Sequence, residues 1–254
     1  MTTISAIIIT LNEEKNLTRC LSSLAFCDEI VVVDSGSTDK TLEIAHKFTK
    51  DVIIHNFKDY ASQRQFAVSQ ATCEWILFVD ADEEIPETLA KKIMELKEYK
   101  NLGTIVFPRK NLFMGKWIKH GGWYPDWQRR MLRRDKVLFL PKSVHELAQE
   151  IPEVINLDDN WDKGLAIKHY TYSSIENYLK KMNQCTTLEA NDLKDTLKVG
   201  KLDIIFRSLG MFSQCYFGKR AYKDGLQGFV VAVLQMINSF MLMLKIIELK
   251  ELGK

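Results

Sequence analysis

The chain has 254 residues, 46% hydrophobic and 27% charged, an ordinary globular composition that can bury a sizeable core. A formal net charge of +2 lacks the basic excess that nucleic-acid binding needs, and the apolar content excludes extended disorder. Five scattered cysteines (Cys20, Cys27, Cys73, Cys185 and Cys215) form no CxxC pair, so neither a disulfide framework nor a zinc site is expected. They read as reduced thiols of a cytoplasmic protein. The opening apolar run, Ile4 to Ile9, is too short for a signal peptide and lacks its basic start.

The first hundred residues alternate between two periodicities. Ile4 to Ile9 is a short, β-branched run suited to a strand covered on both faces. Leu17, Leu21 and Leu24 follow at helical spacing. Ile30 to Val33 gives a second buried strand, ending in the turn Asp34-Ser35-Gly36-Ser37-Thr38-Asp39, whose polar residues can cap the next helix. That helix turns Leu42 and Ala45 inward. Val52-Ile53-Ile54 is a third strand, Gln63 to Ala71 a helix, and Trp75 to Val79 a fourth strand. Pro86 suits the first turn of a helix running through Leu89, Ile93 and Leu96, and Thr104 to Phe107 reads as a fifth strand.

Strands alternating with helices imply an α/β fold with a doubly wound, mostly parallel sheet, which binds ligands at the carboxyl ends of its strands. The polar residues fall at those ends: Thr10 and Asn12 after strand one, Asp34 after strand two, Asp80 and Asp82 after strand four. No GxGxxG follows strand one and no GxxxxGK[ST] occurs anywhere, so a nucleotide here would be held by carboxylates and a metal rather than by a glycine cradle.

Phe78-Val79-Asp80-Ala81-Asp82-Glu83-Glu84 places four carboxylates within five positions at a strand end. Mg²⁺ typically uses one or two carboxylates together with substrate phosphates, so a DxD pair suits a metal-bound diphosphate. Acids favouring a helix N-terminus are the competing explanation, and position at the mouth of strand four weighs against it. Asp34 could cap a turn, or accept hydrogen bonds from a uracil N–H or a ribose hydroxyl.

Together, Ile7-Ile8-Ile9-Thr10-Leu11-Asn12-Glu13-Glu14, Val32-Val33-Asp34-Ser35-Gly36-Ser37-Thr38-Asp39 and Asp80-Ala81-Asp82-Glu83-Glu84 resemble the family-2 glycosyltransferases of the GT-A fold. The bacterial branch that adds β-1,4-linked glucose to the lipooligosaccharide inner core is the nearest in pattern, over about the first 170 residues. The resemblance implies that Thr10, Asn12, Glu13 and Asp34 contact the nucleoside of a UDP-sugar. It implies that Asp80 and Asp82 hold the diphosphate through Mg²⁺ or Mn²⁺, with Ala81 between them, and that Gln63 and Arg64 sit near the nucleotide or phosphates. Ser35 departs from the second Asp that many members carry there.

Between Arg109 and Lys142 stand ten Lys or Arg against two acids, Asp126 and Asp135, a cluster suited to phosphates or to a solvated basic face. The spacing of Asp126 to Arg130 resembles the acidic motif that supplies the catalytic base of inverting members, with Glu146 as the alternative base. Gly121-Gly122 resembles the glycine loop where donor and acceptor approach. His169 resembles a late histidine that serves some GT-A enzymes as a metal ligand, although a lone histidine, like His145, is more often structural.

Beyond about Ser173 the pattern is helical, giving an expected catalytic domain over 1–172 and a helical appendage over 173–254. Phe229 to Leu244 is apolar but shorter than a bilayer span. With Phe206, Leu209, Met211 and Phe212 beside Arg207, Lys219 and Arg220, it suggests helices in a membrane interface; packing on the catalytic domain or in a homodimer is the other option. The expected function is therefore an inverting transferase moving a sugar, glucose foremost, from a UDP-sugar to a hydroxyl of a lipopolysaccharide core or related glycolipid at the cytoplasmic face of the inner membrane. A sugar nucleotidyltransferase and a non-catalytic membrane-associated module of the same fold are the alternatives.

Overall fold

The computed structural model describes residues 2–137, 154–157, 164–172 and 174–252. The chain forms two compact units, one of residues 1–109 and 127–169, the other of 110–126 and 170–254. The chain crosses between the units three times, after residues 109, 126 and 169. The second unit also takes residues 110–126.

The first unit begins with the four strands read from the sequence. β1 (Ile4–Thr10), β2 (Glu29–Asp34), β3 (Val52–Ile54) and β4 (Trp75–Phe78) lie parallel in the order β3-β2-β1-β4. Alternation along β1 explains the double winding. Ile4, Ala6 and Ile8 enter one core cluster with Leu17, Leu21 and Leu24, whereas Ile7 enters another with Val31, Val33 and Ile76. Helix α1 (Leu17–Ser22) and the later α4 (Glu87–Leu96, with Leu89, Ile93 and Leu96 inward) cover the first face. Helix α3 (Tyr60–Gln70) covers the second through Ala61, Ala67 and Val68, after the short α2 (Thr41–Ala45). Asp59 caps α3, accepting from the Ser62 N–H at 2.7 Å. Pro86 takes the position just before α4, its φ of −62° already helical.

The remaining strands extend this parallel half. β5 (Glu83–Glu84) is two residues long, β6 (Thr104–Phe113) outruns the expected strand by six residues, and β7 (Lys116–Trp117) folds back on it. β8 (Asp126–Arg133) runs antiparallel to β4, β9 (Val154–Asn156) pairs with β6, and β10 (Ile167–Tyr172) pairs antiparallel with β5. The sheet order is β3-β2-β1-β4-β8-β6-β10-β5. The expected mostly parallel α/β sheet with a helical C-terminal region is what the protein has.

The second unit is built on α5 (Ile175–Leu193), α6 (Lys201–Ser213) and α7 (Leu226–Glu251), with a π-helical turn over Gln214–Gly218 and a 3₁₀ turn over Ala221–Asp224. Phe113, Ile118, Tyr178, Cys215 and Val231 centre its core. Gly228 is obligatory, since a Cβ there would stand 1.8 Å from the Ala221 carbonyl oxygen. The apolar stretch read as sixteen residues lies in a 26-residue helix whose most apolar window has a mean hydropathy of 2.0, long and apolar enough to cross a membrane by length and composition. Of that window 33% is buried, because Val231, Leu234 and Ile246 face the unit's own cores.

Candidate active site

The carboxyl ends of β1 and β2 are sewn together by their own polar side chains. Asp34 is fully buried and stands in register beside Thr10. Its Oδ1 accepts from the Gly36 and Ser37 N–H groups at 2.8 and 2.7 Å, and its Oδ2 from the Ser37 hydroxyl at 2.5 Å. A carboxylate offers about four acceptor positions, so one remains for another donor. Asn12, at a φ of 55°, accepts from the Thr38 N–H at 2.8 Å and donates its own N–H to the Ser37 hydroxyl at 2.8 Å. The Glu13 N–H donates to Thr41 Oγ1, and Glu13 Oε2 accepts from Asn16. The Thr10 hydroxyl is buried without a hydrogen-bond partner among the described residues, an orphan that a ligand's polar group would satisfy.

Gln63 is placed as a brace beneath this turn. It is fully buried, its Nε2 donates to Ser35 Oγ and to the His55 carbonyl at 3.1 and 3.2 Å, and its Oε1 meets His55 Nδ1 at 2.8 Å. His55 in turn stacks on Phe66 at 3.9 Å, and its N–H bonds the Asp34 carbonyl. All three amide contacts are thus spent within the protein.

After β4 the chain delivers the acidic segment into a ring of guanidiniums. Asp80 receives Arg64 at 3.2 Å and both terminal nitrogens of Arg130, with Arg109 at 3.9 Å. Glu83 is fully buried and accepts from Arg130 Nη2 at 2.6 Å, Arg109 Nη1 at 2.9 Å and the Asp80 N–H at 3.0 Å. Burial pushes the Asp80 carboxyl up, but Arg130, then Arg64 and Arg109, overcome this and hold it far below the usual carboxylate range. For Arg130, burial opposes the charge while Asp80 and Glu83 hold it firmly protonated. Ala81 is small and buried in the adjoining core cluster, which seats the turn between the two aspartates.

Asp82 lies apart from this ring. Its Oδ2 meets His169 Nε2 at 3.2 Å, because the β5–β10 ladder sets His169 opposite Glu83. A carboxylate and an imidazole converging on one point are donors that Mn²⁺ and Mg²⁺ accept, and Mg²⁺ takes few protein ligands when substrate phosphates supply the rest. No group of three or more ligating side chains forms among the described residues, so an ion held here would complete its shell from a diphosphate and water. The residues fit such an ion. Asp80, engaged by arginines, is the weaker of the two candidate ligands.

In the second unit Asp126 is half-buried, and Asn111 Nδ2 donates to its Oδ2 at 3.0 Å and to the Trp123 carbonyl at 3.2 Å. Thr171 fixes the other end of that amide. Gly121 and Gly122 have φ of 70° and 83°, a left-handed conformation that glycine adopts without strain. Glu146 and His145 lie outside the described residues.

Two features escaped sequence reasoning. Glu83 looked like one more acid of a run, and only its burial beneath two arginines shows its role. Asp224, 3% exposed, accepts from the Lys119 and His120 N–H groups at 3.1 and 2.8 Å and faces His120 Nδ1 at 3.1 Å. No local motif marks it, because its partners lie over a hundred positions away in sequence.

The family model described as "Glycosyl transferase family 2" matches residues 5–149. The lipopolysaccharide core biosynthesis glycosyltransferase LpsC of Rhizobium meliloti is 29% identical over 255 residues, covering 96% of this chain and 92% of LpsC. An uncharacterized glycosyltransferase of Rickettsia conorii is 28% identical over 96% of this chain and 90% of its own length. Among solved structures, glucosyl-3-phosphoglycerate synthase of Mycobacterium tuberculosis in complex with Mg²⁺ and UDP matches with a TM-score of 0.50 at 15% identity, covering 76% of this chain and 78% of the synthase, a likeness of fold. With the matched segment spanning the ends of β1, β2 and β4, this chain belongs to glycosyl transferase family 2 and resembles its lipopolysaccharide core enzymes.

Proposed function

We propose that this protein transfers a sugar, glucose foremost, from UDP to a hydroxyl of a lipopolysaccharide core or a related glycolipid, with inversion at the anomeric carbon, at the cytoplasmic face of the membrane. The observation that carries this reading is the convergence at one sheet edge. β2 and β4 flank β1, so Asp34 and the Asp80–Asp82 turn leave strands about 10 Å apart. Between them sits the orphaned Thr10 hydroxyl. That spacing suits a nucleoside at Asp34 and a diphosphate near Asp82. The near-full-length similarity to a protein named for lipopolysaccharide core biosynthesis supports the acceptor class.

Thr10 and the remaining acceptor position of Asp34 orient the nucleoside, and Gln63 keeps their turn rigid. Asp82 and His169 would hold Mn²⁺ or Mg²⁺, whose charge would offset that of the leaving diphosphate. The base is assigned to Asp126 by the resemblance of its spacing to Arg130, with Asn111 orienting its carboxylate; the acceptor oxygen loses its proton as it bonds to the anomeric carbon. The bond from that carbon to the diphosphate breaks, and the electron pair leaves with UDP. Arg64 supplies positive charge beside the same edge. The test is incubation with Mn²⁺ and either a panel of UDP-sugars with core oligosaccharide acceptors, following UDP, or UTP with sugar phosphates, following pyrophosphate. Acceptor-dependent UDP supports the reading. Pyrophosphate from a nucleoside triphosphate, or no product with any donor, overturns it.

A further inference from the structure

Helix α6 is amphipathic with its apolar side outward. Of its thirteen residues only Ser208 is buried. Leu202, Ile205, Phe206 and Leu209 recur at i, i+3, i+4 and i+7, so they form one stripe, and they are 68, 53, 68 and 54% exposed. The stripe continues past the helix end. The Phe212 ring contacts Phe217 at 6.5 Å and Phe229 at 6.1 Å, and Phe217 and Leu226 are exposed in turn. Soluble monomers rarely leave a contiguous apolar face of this kind open.

Its charge decides among occupants. Lys201 stands at the start of α6, Arg207 midway, and Arg220 and Lys223 beyond its end, whereas the Lys219 side chain reaches to the Gly122 loop. The two acids of the same stretch are Asp203, which faces Arg207 at 3.6 Å, and Asp224, which is buried against His120. A second copy docked by two-fold symmetry would bring together two patches of the same net positive charge. An anionic bilayer complements both features: headgroups meet the cations while the apolar stripe enters the acyl boundary. Helix α7 does not compete as a span, because its inner side packs on α5 and Lys245 Nζ bonds Asn183 and Thr186 of that helix.

We propose that the outer face of α6, with the aromatic turn that follows it, seats this protein in the interface of an anionic lipid bilayer. The surface names where a lipid-linked acceptor would be met, and it rests on the proposed function for that purpose alone.

The experiment sediments the full chain, without sugar donor, with vesicles of phosphatidylcholine alone and of phosphatidylcholine and phosphatidylglycerol in equal parts. The wild type should bind the anionic vesicles and release with salt. Leu202→Ser/Phe206→Ser and Lys201→Glu/Arg207→Glu should each lower partitioning about tenfold, with unchanged thermal unfolding and unchanged UDP release on a soluble acceptor. Failure to bind anionic vesicles, equal binding by the variants, or retention in the membrane after alkaline carbonate overturns the proposal. So does a dimer that Leu202→Ser/Phe206→Ser dissociates. UDP release without vesicle binding removes this surface and leaves the transfer reading, and vesicle binding without UDP release does the reverse.

Discussion

Glu83→Gln isolates the electrostatic ring beside the DxD turn. Glu83 has no solvent exposure and accepts from Arg130, Arg109 and the Asp80 N–H within 3.0 Å. Glutamine keeps the volume but replaces one acceptor oxygen with an NH₂ that must face donors. Removing one partner of a buried ion pair costs about 3–5 kcal/mol, since the opposite charge is left uncompensated. Asp80 still faces both guanidiniums, so the expected loss is at the lower end, about 3 kcal/mol. For a chain of this size that corresponds to a melting temperature lower by about 6–12 °C. Urea unfolding should show a lower midpoint with unchanged slope. Glu83→Gln/Arg130→Met should recover part of the loss, because removing both charges is far cheaper than stranding one. A loss below about 1 kcal/mol, or additive effects in the double variant, would refute the account of the ring.

Other outcomes follow from the same geometry. Asp80 is held far below the ordinary carboxylate range, so it stabilises the fold above about pH 4 and that contribution fades as pH falls further. The stability gap between wild type and Asp80→Asn, read by urea titrations, should therefore shrink on acidification; a gap that widens is contrary to the assignment. Asp126→Asn should bind UDP with unchanged affinity in calorimetry while transfer falls by about 10²-fold or more. Near-normal transfer would shift attention to Glu146. Burial raises the fully buried Cys20 thiol well above its ordinary range, so it should not react with a thiol reagent at neutral pH until the protein unfolds.

Legibility in the sequence tracked how local each determinant is. β1, β2 and β4 were readable because continuous β-branched runs signal strands covered on both faces, and the alternation of Ile7 with Ala6 and Ile8 then splits the two cores. The strand-end positions of Thr10, Asp34, Asp80 and Asp82 followed directly. Pairing that depends on distant partners was not readable. The two-residue β5 has no periodicity, yet its ladder with β10 sets His169 against Asp82. The full length of β6 was missed because Pro108, Arg109 and Lys110 interrupt its apolar pattern. Gln63 carried the polarity of a ligand residue, and its bracing of Ser35 and His55 could not be read from the sequence because it depends on burial and on partners up to 28 positions away. In the appendage the apolar content of α7 was plain, whereas its 26-residue length was not, since Lys245 and Glu248 seemed to end the run.

The claim on which the rest depends is that the edge formed by β1, β2 and β4 grips a nucleoside diphosphate through a divalent ion at Asp82 and His169. Thermal unfolding across a panel of nucleotide sugars, with and without Mn²⁺, reads this without any acceptor. UDP and UDP-glucose should raise the melting temperature only when Mn²⁺ is present, and Asp82→Ala and His169→Ala should abolish that rise while melting near the wild-type temperature alone. A metal-independent rise, a rise retained in Asp82→Ala, or no response to any nucleotide would contradict it.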